Sequence, residues 1–200
     1  DFSPDKNQGR WKHYTPEKEC IRFLFVGRIS KEKELEFLEK IWRSFRKNHD
    51  SLSFFVVGDG PYKAEMEKNL SDCPEVVFTG KQSGDLLSSL YAEAHFLLFP
   101  SGTDTFGNVV VESIASGTPV LVSDSGGPKD IAINEKTGFI IPFKSEPDWL
   151  TSLEKAYDLA QNTTSYKNWS DLCVTSSKKY SIANSAKAFW DFFINQISKS

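Results

Sequence analysis

The stretch HFLLFPSGTDTFGNVVVESIASGTPVLVS, residues 95–123, changes its hydrophobic period twice. HFLLFP (95–100) is an apolar run halted by a proline, and TPVLVS (118–123) is a second short β-rich run. Between them the polar loop SGTDTFG leads into residues 107–116, which read as a helix. A strand, a crossover helix and a second strand form the repeating unit of a parallel sheet. Two carboxylates, Asp104 and Glu112, stand eight positions apart around the Phe106-Gly107 pair where strand gives way to helix.

The same alternation extends to both sides. IRFLFVG (21–27) is a continuous apolar run, as expected of a strand covered on both faces. Leu35, Leu38, Ile41, Trp42 and Phe45 then mark one helical face. SFFVVG (53–58) and EVVFTG (75–80) are further strands, followed by helices over about 61–70 and 84–94. GFIIPF (138–143) is the last strand candidate. Six such strands alternating with helices predict an α/β fold: a doubly wound parallel sheet, Rossmann-like, over residues 21–145. Residues 146–200 read as helices packed on the same domain, ending in a helix with Ile182, Ala186, Phe189, Phe193 and Ile197 on one face. Its aromatic run, residues 189–193, reads first as packing on the sheet or a missing neighbour, and second as membrane contact. Residues 1–20 are polar, contain Pro4, Gly9 and Pro16, and lack both an initial Met and a signal-peptide core. They read as an interdomain linker.

Composition narrows the class. A formal net charge of -3 argues against general nucleic-acid binding but leaves room for a local cluster of cations. Cys20, Cys73 and Cys173 form no C-x-x-C pair, so they predict thiols of a reducing cytosol and neither a disulfide framework nor a zinc site. No apolar run reaches the roughly 18–20 residues of a membrane span.

Ligands of such sheets bind beyond the carboxyl ends of the strands. Three loops there carry chemistry. In VGRISKEKEL (26–35), Arg28 and Lys33 flank a turn where Gly27 lets the backbone approach a ligand. Two cations there suit a diphosphate, although taken alone they are as readily solvated loop charges. In VVGDGPYKAEM (56–66), Gly58 and Gly60 start a G-x-G-x-x-G fingerprint, but position 63 is Lys and the strand is the second, so dinucleotide binding is rejected. A tight turn with Pro61 opening the next helix accounts for the residues. In the third loop, a helix starting near Gly107 aims the amides of Asn108 and Val109 at the loop mouth, where its dipole favours an anion. Carboxylates for hydroxyls on either side of amides for phosphate suit a nucleotide diphospho-sugar.

The order VGRISKEK, VVGDGP, VFTGKQSGDLLSSLYAEAHFLLFPS, TDTFGNVVVESIASGTPVLVSDSGGPKDI and TGFII resembles the C-terminal, donor-binding domain of a GT-B glycosyltransferase of family 4 (group 1). Asp1-Phe2-Ser3-Pro4 is similar to the linker after the N-terminal domain of that family. The resemblance implies a retaining enzyme that transfers a sugar from a UDP- or GDP-sugar to a lipid or saccharide acceptor in envelope polysaccharide or glycolipid synthesis. It implies that Arg28 and Lys33 grip the diphosphate, that Glu112 bonds the ribose hydroxyls, and that Asp104 contacts the donor sugar. It further implies that Phe106, Gly107, Asn108 and Val109 lie against sugar and phosphate, that Lys81 and Gln82 meet the base, and that Gly126 and Gly127 form a turn of unassigned role. The family usually has Glu where Asp104 stands, a reach longer by about 1.5 Å.

The resemblance further implies a partner, an N-terminal acceptor domain that supplies the catalytic histidine. None of His13, His49 and His95 sits in a matching context. The expectation is a cytoplasmic protein, with peripheral association at the inner membrane face left open, needing no cofactor and no metal for donor binding. A GT-B epimerase of nucleotide sugars and a non-catalytic nucleotide-binding module are the rival readings.

Overall fold

The computed structural model describes residues 2–6, 11 and 20–180. The expected terminal helix through Ile182 and Ile197, His13 and most of the expected linker lie outside the described residues. Six strands, β1 (Ile21–Val26), β2 (Leu52–Val57), β3 (Val76–Gly80), β4 (Phe96–Phe99), β5 (Val120–Ser123) and β6 (Gly138–Ile141), form one sheet. Its order is β3-β2-β1-β4-β5-β6, and every pairing is parallel. This is the doubly wound arrangement the alternation predicts.

Strand composition explains the layering. β2 is buried at all six positions and β4 at all four, so neither could carry an alternating pattern. The helices α1 (Leu35–Phe45), α2 (Lys63–Asn69), α3 (Gly84–Glu93) and α4 (Asn108–Ala115) are the crossovers of the βαβ units. The predicted face of α1 is the buried one, with Leu35, Leu38, Ile41, Trp42 and Phe45 all packed inward. Phe23 of β1 receives the edges of the Trp42 and Phe45 rings at 5.5 and 5.8 Å. Each such side chain contributes roughly 1.5–3 kcal/mol by leaving water. α2 begins at Lys63 behind Tyr62, so Pro61 shapes the preceding turn and is not the first helical residue.

Two long helices, α5 (Glu146–Gln161) and α6 (Thr163–Ser177), follow the sheet. α5 packs on α1 and β6, whereas α6 packs on α4 of the opposite layer. Tyr166 at the start of α6 donates to the His95 carbonyl at 2.9 Å, which fixes the crossing beneath the sheet. Within the expected linker, Phe2 packs edge-on against Tyr91 at 5.5 Å, and buried Trp11 stacks on Phe55 at 3.6 Å. Those described residues are tied to the α3 side of the sheet. Among the described residues, no helix is long and apolar enough to cross a membrane.

Candidate functional site

Strand order reverses between β1 and β4, so their outgoing loops separate and leave a crevice at the carboxyl edge. One half, about 330 Å³, is lined by Gly27, Arg28 and Lys33 from the β1 side. The β4 side contributes Asp104, Phe106, Gly107, Asn108 and Val109. The adjoining half, about 280 Å³, shares Gly27 and Arg28 and reaches Lys81 and Gln82. Ten of the eleven residues given a role from sequence therefore line these two adjoining halves, which share Val26, Gly27 and Arg28. Glu112, the eleventh, sits one turn along α4 from Asn108, on the same helix face.

Local geometry places each group. After Ser30 the chain makes a single 3-10 turn over Lys31–Lys33, and Glu34 adopts left-handed φ of 58° as it enters α1. This conformation is unfavourable for a residue with a Cβ, and an ion pair from Lys144 to Glu34 at 2.7 Å braces it. The kink sends Lys33 back over the ring of Phe99, 5.8 Å from its centroid, and Lys33 Nζ donates to Asp104 Oδ1 at 2.6 Å. Asp104 Oδ2 is buried and has no hydrogen-bond partner among the described residues. Arg28 is exposed at the boundary of the two halves, and it makes no ion pair among the described residues.

The loop bearing Asp104 is held from three sides. Gly127 N–H donates to the Asp104 carbonyl at 2.8 Å, and Ser125 Oγ donates to the Gly102 carbonyl at 3.1 Å. A Cβ on Gly127 would stand 2.0 Å from the Thr105 oxygen, so only glycine permits this approach. The pair Gly126-Gly127, to which sequence assigned no role, is thus the bed on which the Asp104 loop rests. Phe143 covers Gly102, and Thr103 Oγ1 donates to the Glu32 carbonyl at 3.3 Å, tying the loop to the turn that carries Lys33. Gly107 has φ of 88° and acts as N-cap of α4, which turns the first amides of the helix towards the crevice.

The rejected fingerprint glycines have a packing role. A Cβ on Gly58 would stand 1.8 Å from the Gly27 oxygen, and one on Gly60 would stand 2.3 Å from that of Ile29. They let the loop after β2 lie against the loop after β1, joined by Ile29 N–H to the Asp59 carbonyl at 2.9 Å. Gln82 is fixed by donation to the Thr79 carbonyl at 2.7 Å.

Sequence reasoning missed one member of this neighbourhood. Tyr91, at the end of α3, donates to Glu112 Oε2 at 2.9 Å. Its only signal in the sequence is a polar aromatic among the apolar positions of a helix.

A family model described as "Glycosyl transferases group 1" matches residues 5–170. The chain belongs to this family. It is 38% identical over 155 residues to the sulfoquinovosyl transferase SQD2 of Arabidopsis thaliana, which covers 76% of this chain and 29% of that protein. It is 35% identical over 117 residues to a GDP-mannose-dependent alpha-mannosyltransferase of Mycolicibacterium smegmatis, covering 58% of this chain and 29% of the relative. Among solved structures, sucrose-phosphate synthase from Thermosynechococcus elongatus superposes with a TM-score of 0.79 at 20% identity, over 100% of this chain and 50% of that one. That likeness is one of fold, and it confirms the Rossmann-like domain of GT-B type expected from sequence. The chain spans about three-tenths of the length of these curated relatives.

Proposed function

We propose that the crevice is the donor site of a retaining glycosyltransferase, and that this chain is the half that holds a nucleotide diphospho-sugar. One observation carries the reading: Arg28, Lys33, Asp104 and the first turn of α4 line a single crevice at the reversal of strand order. Two cations and a helix terminus worth about half a positive charge suit a diphosphate bridge. The exposed base-side half, with Lys81 and Gln82, leaves room for a nucleoside on one flank. On the other flank, Asp104 offers a carboxylate to sugar hydroxyls, and its orphaned Oδ2 is the kind of buried acceptor that a hydroxyl donor satisfies.

In this reading the bond from the anomeric carbon to the β-phosphate oxygen breaks, and the acceptor hydroxyl forms the new glycosidic bond. The electron pair of the broken bond stays on the nucleoside diphosphate. Arg28, Lys33 and the α4 amides are preorganised around that developing charge, the most effective place for electrostatic stabilisation. They supply positive charge of the kind a divalent cation would bring, so donor binding needs no metal. The acceptor, a lipid or saccharide, and the catalytic histidine belong to an N-terminal domain of the same protein. The name of the mannosyltransferase relative supports a nucleotide-linked donor, here a UDP- or GDP-sugar.

Calorimetric titration with UDP, GDP, their hexose conjugates, uridine and guanosine tests the proposal. One diphosphate series should bind at least tenfold more tightly than its nucleoside, with or without chelator. Equal affinity for nucleoside and nucleoside diphosphate would remove the basis for a donor site.

A further inference from the structure

Tyr91 is fully buried, yet its hydroxyl points to a carboxylate that is not. The bond to Glu112 Oε2 is 2.9 Å, and among the described residues Glu112 Oε1 takes no hydrogen bond. The tyrosine itself is held firmly. Its carbonyl accepts from Thr118 Oγ1 at 2.6 Å, which pins the end of α3 to the segment following α4. Its ring receives the Phe2 edge at 5.5 Å and 86°. Burial, and then the charge of Glu112, raise the phenol well above its ordinary range, so it remains a donor at any working pH.

A glutamate on a helix face has several accessible rotamers, and a ligand that needs one of them must meet the cost of selecting it. A fixed phenol donating to one carboxylate oxygen makes that selection in advance and leaves the second oxygen without a partner among the described residues, on a residue one turn along α4 from the crevice-lining Asn108. We infer that Tyr91 is a positioning residue: it orients Glu112 so that Oε1 meets the vicinal hydroxyls of the donor ribose. Phe2, from the segment ahead of the sheet, keeps the Tyr91 ring in place. The inference rests on the donor reading of the crevice and extends it to a residue that never touches the ligand.

The test uses the full chain as wild type, Tyr91→Phe, Glu112→Ala and the double variant, titrated with UDP, GDP, the 2′,3′-dideoxy analogue of each and inorganic pyrophosphate. Tyr91→Phe removes only the hydroxyl and should weaken the preferred ribonucleoside diphosphate about five- to tenfold. Dideoxy analogue and pyrophosphate should bind wild type and Tyr91→Phe alike, and in the Glu112→Ala background the Tyr91→Phe effect should vanish. Phe2→Ala, which spares the hydroxyl, should give a smaller loss with the same ribose dependence. Equal weakening of ribo- and dideoxy ligands, or an unchanged ribonucleotide affinity in Tyr91→Phe, overturns the role of Tyr91 while leaving the donor site intact. Failure of wild type to bind either nucleoside diphosphate overturns both.

Discussion

The two ends of β1 and β4 each carry an arginine and other polar side chains, but they treat them in opposite ways. At the amino edge, Arg22 Nε donates to the Glu93 carbonyl at 2.5 Å, and the Arg22 amide donates to His95 Nδ1 at 3.0 Å. Tyr166 closes the group on the His95 carbonyl. At the carboxyl edge, Arg28 projects from a turn without an ion pair among the described residues, and Asp104 keeps one oxygen buried and unbonded. The same residue types thus serve structure where they satisfy one another, and where they converge unsatisfied they form the crevice for which a donor site is proposed. A histidine or arginine at a strand end is uninformative until its partners are known.

The strongest way to break this contrast is Lys33→Ala. A charge-assisted hydrogen bond is worth about 1.5–3 kcal/mol, so affinity for the preferred nucleoside diphosphate should fall by about one to two orders of magnitude. Nucleoside affinity and the unfolding midpoint should hardly change. Equal losses for nucleoside and nucleoside diphosphate would mean that Lys33 shapes the loop and does not grip phosphate.

His95 sharpens the other side. Burial, and then the charge of Arg22, lower its ring from 6.5 to about 3, and acceptance of the Arg22 amide requires Nδ1 unprotonated. The folded protein therefore binds its proton later than the unfolded chain. Stability from this depression is complete above pH 6.5 and is lost as pH falls towards 3. At pH 5.5 the loss is on the order of 1 kcal/mol relative to neutral pH. Urea titrations at pH 7.5 and 5.5 should show that increment in wild type and not in His95→Asn. An identical pH response in both proteins would locate the acid sensitivity elsewhere. Nucleotide affinity at the opposite edge should be the same in both.

Much of this organisation is legible in the residues because burial on both faces leaves a plain signature. IRFLFV, LSFFVV and FLLF contain almost nothing but apolar residues, which fixes the parallel sheet, and the face from Leu35 to Phe45 fixes α1. The crevice residues were legible through loop chemistry at strand ends and through the family resemblance. What sequence could not reveal depends on contacts between loops far apart in the chain. Gly127 is required by the Thr105 carbonyl, Gly58 by that of Gly27, and Tyr91 is tied to Glu112 across 21 positions. None of these pairs has a periodicity that a reader of one strand or helix could follow. Pro61 shows the limit at shorter range, since the helix starts at Lys63, two residues beyond the position that a helix-opening proline suggests.

The subtlest probe of the contrast is Asp104→Asn, because Asp104 belongs to both categories at once. One oxygen accepts from Lys33 at 2.6 Å and the other has no partner among the described residues. Both side chains of the pair are only about one-fifth exposed, at 19% and 21%, but asparagine keeps an amide oxygen that can still accept from Lys33 Nζ. Unfolding free energy should therefore change by less than about 1 kcal/mol. A diphosphate draws on the same Nζ that Asp104 holds, so weakening the pair should raise affinity for UDP or GDP, by at most about fivefold. Nucleotide-sugars should lose the increment that their hexose adds, since the amide cannot accept at both positions. Calorimetry with nucleoside diphosphate and nucleotide-sugar side by side reads both terms. If Asp104→Asn weakens the two ligands in parallel, Asp104 serves to orient Lys33, and the sugar contact assigned to it must be moved to another residue.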